Sequence, residues 1–367
     1  MIRRRDVLRT GALVPLAGLF NGTKARAAEP DPALVKAAQK EGTFTYYFGT
    51  GAEVTAHWDS AFSRKYGIEI KNVRGPSYPL YDRWLNEERV GKHIADVLGF
   101  TDPSIIEAAH ADGFIADYHA REGEAIPGSM KRDGIWYGTT LAYMGVGWNT
   151  SLISKPEEDL LMAREWDVLA DPRWKDRYTT TAASSGGSTY AYWYMLTHPM
   201  KDRYGFPFLR KLAANKPGIF ISKPPMWDRV AAGEYAIADQ AGTDQMGELY
   251  LKGAPIRWMY PDTVSTTISL NAICANARHP NAARLFMEWS ISAEGQAEWQ
   301  KYTTVLPTRG DVEDTRKAAK KDWYGESWFR EPKTLYLDYL QEAEFADPAK
   351  PLIGEWNKIF GYNGGDK

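Results

Sequence analysis

One cysteine, Cys274, stands among 367 residues. That excludes an internal disulfide framework, and because Cys274 does not sit at an export-cleavage point, it also excludes a lipid-anchored amino terminus. It lies in the apolar run 268–275, where a small buried hydrophobe in a strand accounts for it. The six histidines, His57, His93, His110, His119, His198 and His279, have no His-Glu-x-x-His spacing, so no preformed zinc or other metal site is written in the chain. There is no Gly-x-Ser-x-Gly elbow and no Walker loop. The triplet Gly49-Thr50-Gly51 fails as a dinucleotide fingerprint because Val54 stands where the pattern needs glycine. Neither an enzyme nor a cofactor is expected. Low-complexity tracts and fixed-period repeats are missing as well.

Strong charge is another absence. Forty-five basic groups oppose 47 acidic ones. The first 27 residues hold six basic groups against one acid: Arg3, Arg4, Arg5 and Arg9 make a basic n-region, 11–20 a short apolar stretch, and Ala25-Arg26-Ala27 a small-x-small cleavage point. This reads as an export signal of twin-arginine type, with Val7 where phenylalanine is more usual, so the general secretory route stays open. An apolar run of about ten residues is too short to cross roughly 30 Å of hydrocarbon. Removing six basic groups (Arg3, Arg4, Arg5, Arg9, Lys24, Arg26) and one acid (Asp6) leaves 39 against 46, a formal charge of −7. A mildly acidic chain is a poor partner for nucleic acid or anionic membranes. The expected location is periplasmic, with cleavage near Ala27.

What is present is a repeated strand, turn and helix. A chain of this length exceeds what one core usually organises, so two domains are expected. Helical spacing over 31–41 ends at Gly42, a β-rich run follows over 43–48, then Gly49-Thr50-Gly51 and a helix over 52–66. Strands are expected at 68–73 and 95–100, with helices at 80–89 and 103–111. The unit recurs with a strand at 178–183, the turn Ser184-Ser185-Gly186-Gly187-Ser188 and a helix through Tyr190, Trp193 and Leu196. Helices at 206–215, 226–232 and 245–252 and a strand at 235–239 complete this second half. Such alternation predicts an α/β fold with two mostly parallel, helix-flanked sheets. The segment 138–149 is apolar on both faces with Gly145 and Gly147 inside it, the mark of a buried strand needing close backbone approach. It reads as a crossing between two lobes, with 255–260 as the return crossing. Lobe 1 would be 28–142 and 258–308; lobe 2 would be 143–257 and 309–367. Helices at 334–345 and 352–360 would pack on lobe 2.

In such sheets ligands bind beyond the carboxyl ends of the strands, where helix N-termini offer unpaired N–H groups. The turns around Thr50, Gly51 and Glu53 and around Ser185, Gly186, Gly187 and Ser188 fall in different lobes and could clasp an oxyanion, with the hydroxyls of Thr50, Ser185 and Ser188 adding donors. Taken singly, each turn also reads as an ordinary N-cap. Thr101, Asp239, Thr243 and Asp244 occupy equivalent rims, and Ser77 follows the candidate cation Arg74. Among the aromatic residues near strand ends, Tyr143 and Trp227 are candidate ligand contacts, against the alternative of core packing.

The order of several landmarks resembles the periplasmic solute-binding proteins of ABC importers, in the branch typified by ferric-ion-binding proteins. The matching stretches are Ala61 to Ile68, Glu88 with Gly91 to Val97, Gly147 to Thr150, Trp166 to Lys175, and His279 to Phe286 followed by Ser292 to Gln296. The resemblance implies a type 2 periplasmic binding fold with paired crossing strands, an interlobe ligand, hinge closure and a membrane permease as partner. It does not carry the ligand. Iron-binding members use a histidine after the first strand and a tyrosine pair after the strand that ends here near Asp239, whereas this chain has Thr50-Gly51-Ala52-Glu53 and Gln240-Ala241-Gly242-Thr243-Asp244. The expectation is therefore a monomeric receptor for a small organic anion (carboxylate, phosphate or phosphonate), with ferric iron as the second reading and a secreted α/β hydrolase or lyase as the third.

Overall fold

The computed structural model describes residues 13–15, 29–49, 52–163, 165–303, 305–313, 315, 323–337, 342–347 and 349–364. Of residues 1–28 only Leu13–Pro15 (β1) is described, paired antiparallel with Thr334–Tyr336; the basic n-region and the cleavage point expected there lie outside the described residues.

Helix α1 (Pro32–Glu41) starts where the Asp31 carboxylate accepts from the Ala33 amide and stops at Gly42, whose left-handed φ of 70° closes the last turn. In the first lobe β2 (Thr43–Phe48), β3 (Glu69–Arg74) and β4 (Val97–Phe100) run parallel. They are joined by α2 (Ala52–Tyr66) and α3 (Ser77–Arg89), and α4 (Pro103–Ala111) follows β4. A two-residue strand β5 (Lys131–Arg132) leads into β6 (Trp136–Asn149), and α5 (Lys155–Leu161) begins the second lobe. There β7 (Tyr178–Thr181) lies parallel to β8 (Gly218–Phe220) and β9 (Ile237–Gly242). The flanking helices are α6 (Gly187–Thr197), α7 (Gly205–Ala214), α8 (Lys223–Ala231) and α9 (Thr243–Leu251).

The anticipated crossing is β6. Its first half pairs antiparallel with β11 (Thr263–Ile273) and its second half with β9, so one strand belongs to both lobes. Gly145 and Gly147 sit at the change-over for the expected reason. A Cβ on Gly145 would lie 2.1 Å from the Met259 carbonyl oxygen, and one on Gly147 2.6 Å from the Trp227 ring. The return differs slightly from expectation: β10 (Ile256–Met259) still pairs with the second-lobe half of β6, and the chain crosses only after it, into β11, which also pairs with β4.

The chain closes with α10 (Pro280–Ser290), α11 (Ala293–Tyr302), β12 (Leu306–Pro307), β13 (Thr334–Tyr336), α12 (Ala343–Ala346) and α13 (Pro351–Phe360). The helix expected over 334–345 is corrected. Thr334, Leu335 and Tyr336 pair parallel with 263–265 of β11, because a β-branched and aromatic triplet finds an open strand edge there. Helix α6 is buried on every face except at Ser188. Its Trp193 packs on Trp356 and Phe360 of α13, which explains why its sequence carries no polar stripe. Helix α13 thus covers α6.

Candidate functional site

Between the lobes lies a cavity of about 100 Å³. Of the residues anticipated from sequence, Ser77, Thr101, Ser185, Gly186, Ser188 and Asp244 line it. The crossing strands form its floor: Ala142 and Met144 face it from β6, Thr267 and Ser269 from β11. The cavity is small beside the roughly 300–1,000 Å³ of ordinary ligand pockets, because the lobes meet directly. A Cβ on Gly187 would lie 2.7 Å from the Thr101 backbone and one on Gly186 3.1 Å from the Ser77 Cβ. Only glycine lets this turn approach the other lobe so closely. The Ser188 amide then donates to Thr101 Oγ1 across the gap, at 3.1 Å.

Four helices begin at this cavity. Ser77 opens α3, Gly186 and Ser188 flank the start of α6, Ser222 and Lys223 that of α8, and Gly242 and Asp244 that of α9. Each N-terminus carries backbone N–H groups without helical partners, and together they make the cleft electropositive. Two cations add to this, Arg74 at the end of β3 and Lys223 from the opposite lobe. Lys223 Nζ donates to Ser188 Oγ at 2.7 Å. Burial pushes the Lys223 ammonium down to about 8, with Asp244 and Asp239 pulling it back up. Burial also raises the Asp244 carboxyl, against the pull of Lys223.

Several anticipated residues are placed elsewhere. Strand alternation turns Tyr143 away from the cavity that its neighbours Ala142 and Met144 face; it stacks edge-on against Tyr260 and its hydroxyl bonds Glu331. Trp227 fills the space beside Gly147 and is 1 % exposed, a core residue. Gly187 serves the lobe contact rather than the cavity wall, and Thr243 is buried between two lining neighbours, Gly242 and Asp244. Asp239 is fully buried behind the cleft, accepting from Tyr178 (2.6 Å) and from Thr180 (2.8 Å). Burial lifts its carboxyl to about 7 although these bonds oppose the shift. Thr50, Gly51 and the Glu53 side chain lie outside the described residues.

The sequence reading missed Lys223. The short strand β8 before it was not recognised, so the Ser222-Lys223-Pro224 start of α8 was not placed at a strand end. It also missed a backbone irregularity. The register of β6 against β9 slips by one residue, leaving Gln240 unpaired with a left-handed φ of 57°. This bulge turns consecutive side chains, Asp239 and Gln240, into one buried polar network.

Residues 92–331 match the family described as bacterial extracellular solute-binding proteins. An uncharacterised protein of Haemophilus influenzae is 25 % identical over 279 residues, covering 72 % of this chain and 77 % of its own. The periplasmic binding protein AfuA of Actinobacillus pleuropneumoniae, with exogenous fructose-6-phosphate bound, superposes with a TM-score of 0.70 at 19 % identity, over 88 % of this chain and 100 % of that one. Iron-bound HitA of Pseudomonas aeruginosa gives 0.63 at 21 % identity, over 85 % and 99 %.

Proposed function

Because the chain belongs to the bacterial extracellular solute-binding proteins, the ligand-capturing components of ABC importers rather than enzymes, we propose that its ligand is a small organic anion held in the interlobe cleft. The anionic group is a phosphate, phosphonate or carboxylate, and it is released unchanged to a membrane permease. The observation that carries this reading is the convergence of four helix N-termini, Arg74 and Lys223 on one cavity. Thr101 Oγ1 and Ser188 Oγ each already accept one bond, from the Ser188 amide and from Lys223, and each keeps its own proton to give to an oxyanion. Differential affinity for the closed arrangement drives the lobes together.

Ferric iron ranks below this. Hard iron favours anionic oxygen ligands, whereas Asp244 is the single carboxylate among the described cavity residues, opposite two cations. No group of three or more His, Cys, Asp or Glu side chains suited to a metal occurs among the described residues. The proposal includes export through residues 1–27, a periplasmic monomer, and the lobe limits 28–142 with 258–308 and 143–257 with 309–367.

Thermal melts against a panel of organic phosphates, phosphonates, carboxylates and ferric citrate test the reading. A true ligand at a hundred times its Kd adds about 2.7 kcal/mol of stability and is recovered intact afterwards. Stabilisation by ferric iron alone would replace this proposal with the iron reading; turnover of the stabilising compound would replace it with an enzyme.

A further inference from the structure

Behind the cleft, once Asp239 is ionised above about pH 7, a chain of hydroxyls and one amide fixes where each proton lies. Thr180 Oγ1 donates to the Asp239 carboxylate at 2.8 Å, so towards Gln240 Nε2, 3.4 Å away, it accepts. Turning the Gln240 amide over would set its carbonyl oxygen against Asp239 Oδ1, which now faces Nε2 at 3.4 Å. Gln240 Oε1 therefore points the other way, where it accepts from Thr181 Oγ1 at 2.7 Å and from Thr189 Oγ1 at 2.9 Å. Thr189 has one hydroxyl proton and Gln240 takes it. The 3.0 Å contact between Ser185 Oγ and Thr189 Oγ1 is then a bond in which Ser185 donates. Ser185, in the cavity wall, has given up its only proton.

We propose that Ser185 faces the cleft as a hydrogen-bond acceptor, that Gln240 and Thr189 are the positioning residues enforcing this, and that the ligand presents an O–H or N–H donor there. This reverses the role that sequence suggests for Ser185 and separates it from Ser188 and Thr101, whose protons remain free for the anion. Asp244 lines the same cavity as a second acceptor. The site then offers two kinds of group: donors and cations for an oxyanion, acceptors for a hydroxyl or amino group. The inference rests on the anion reading above and narrows it to hydroxylated or aminated anions, excluding bare phosphate and simple alkyl phosphates or carboxylates as preferred ligands. The left-handed bulge at Gln240 is what brings the amide into the relay, so local backbone strain is tied to ligand choice.

Calorimetric titration of the full mature protein at pH 7.5 with two matched pairs of probes tests it: glycerol 3-phosphate against propyl phosphate, and glycerate against propionate. The hydroxylated member of at least one pair binds at least tenfold tighter than its partner, since an analogue without the donor leaves buried acceptors unpaired. Thr189→Val frees the Ser185 proton, and the ratio drops below about threefold; Thr189→Ser restores it. A purely structural role for Thr189 would lower affinity for both members equally. Equal binding within each pair by the native protein overturns the inference and leaves the anion reading standing, as does an unchanged ratio in folded Thr189→Val protein. If no probe binds, the anion reading falls and this one falls with it. Should Thr189→Val fail to fold, the ratio in the native protein still decides.

Discussion

At the scale of single residues the cleft depends on a lysine whose charge is sensitive to pH. Burial holds Lys223 near 8, well below an ordinary lysine, and Asp244 and Asp239 are the charges that oppose the shift. Two consequences have opposite signs. The unfolded chain binds the proton up to about 10.5 and the folded chain only to about 8, so between those values the ligand-free protein gains stability as pH rises. Anion affinity moves the other way: the ammonium is the binding form, and above about pH 8 the Kd grows by up to tenfold per pH unit. Lys223→Gln abolishes both slopes and weakens binding about 10- to 100-fold, as expected for the loss of a charge-assisted bond of about 1.5–3 kcal/mol; melts and calorimetric titrations across this pH range measure both. Of the site residues, those at strand ends, such as Thr101 and Ser188, were legible because chain order alone places them there. Lys223 was not, since a lysine before two prolines reads as surface until the tertiary fold closes over it.

At the scale of elements β6 is the strand on which both lobes hang; Gly145 keeps it close to β10 and Gly147 makes room for the Trp227 ring. Gly145→Ala sets a methyl group against the Met259 carbonyl oxygen, a backbone atom that has no rotamer to escape into. The expected cost is about 1–3 kcal/mol, read as a lowered melting temperature; an unchanged melt would mean that the crossing strands slide apart freely. The stretch 138–149 was legible because twelve residues apolar on both faces have few other homes. The helices at 52–66 and 103–111 were equally plain, with a glycine turn or a proline marking their starts. The bulge at Gln240 was invisible, because a one-residue slip leaves no trace in hydrophobic periodicity. The strand 334–336 was lost for a related reason: three residues carry too short a pattern to distinguish strand from helix, and a partner strand some seventy residues earlier decides the matter.

At the scale of the whole molecule the question is what holds the lobes together. Outside the ligand cavity the C-terminal segment reaches back across the boundary. Lys350, with its backbone left-handed at φ 45°, places Nζ 2.8 Å from Asp102 at the cap of α4, and both side chains are buried. The ammonium also donates to Ser104 Oγ and to the Phe345 carbonyl, and it lies 4.9 Å from the Tyr190 ring centre. Asp102 in turn accepts from Tyr78 and from the Ser104 amide. Since α13 packs on the second lobe and Asp102 belongs to the first, the ion pair bridges the two, and neither of its residues lines the cavity. Breaking a buried pair by removing one partner costs about 3–5 kcal/mol, and an open form, in which Asp102 meets water, escapes that cost. Lys350→Met should therefore enlarge the radius of gyration of the ligand-free protein in X-ray scattering and weaken ligand binding, because closure must then be driven by the ligand alone. Saturating ligand should restore the compact form. An unchanged radius with a melting temperature lowered equally in the presence and absence of ligand would assign the pair to packing of the tail and leave lobe closure to the Gly186–Ser188 contact.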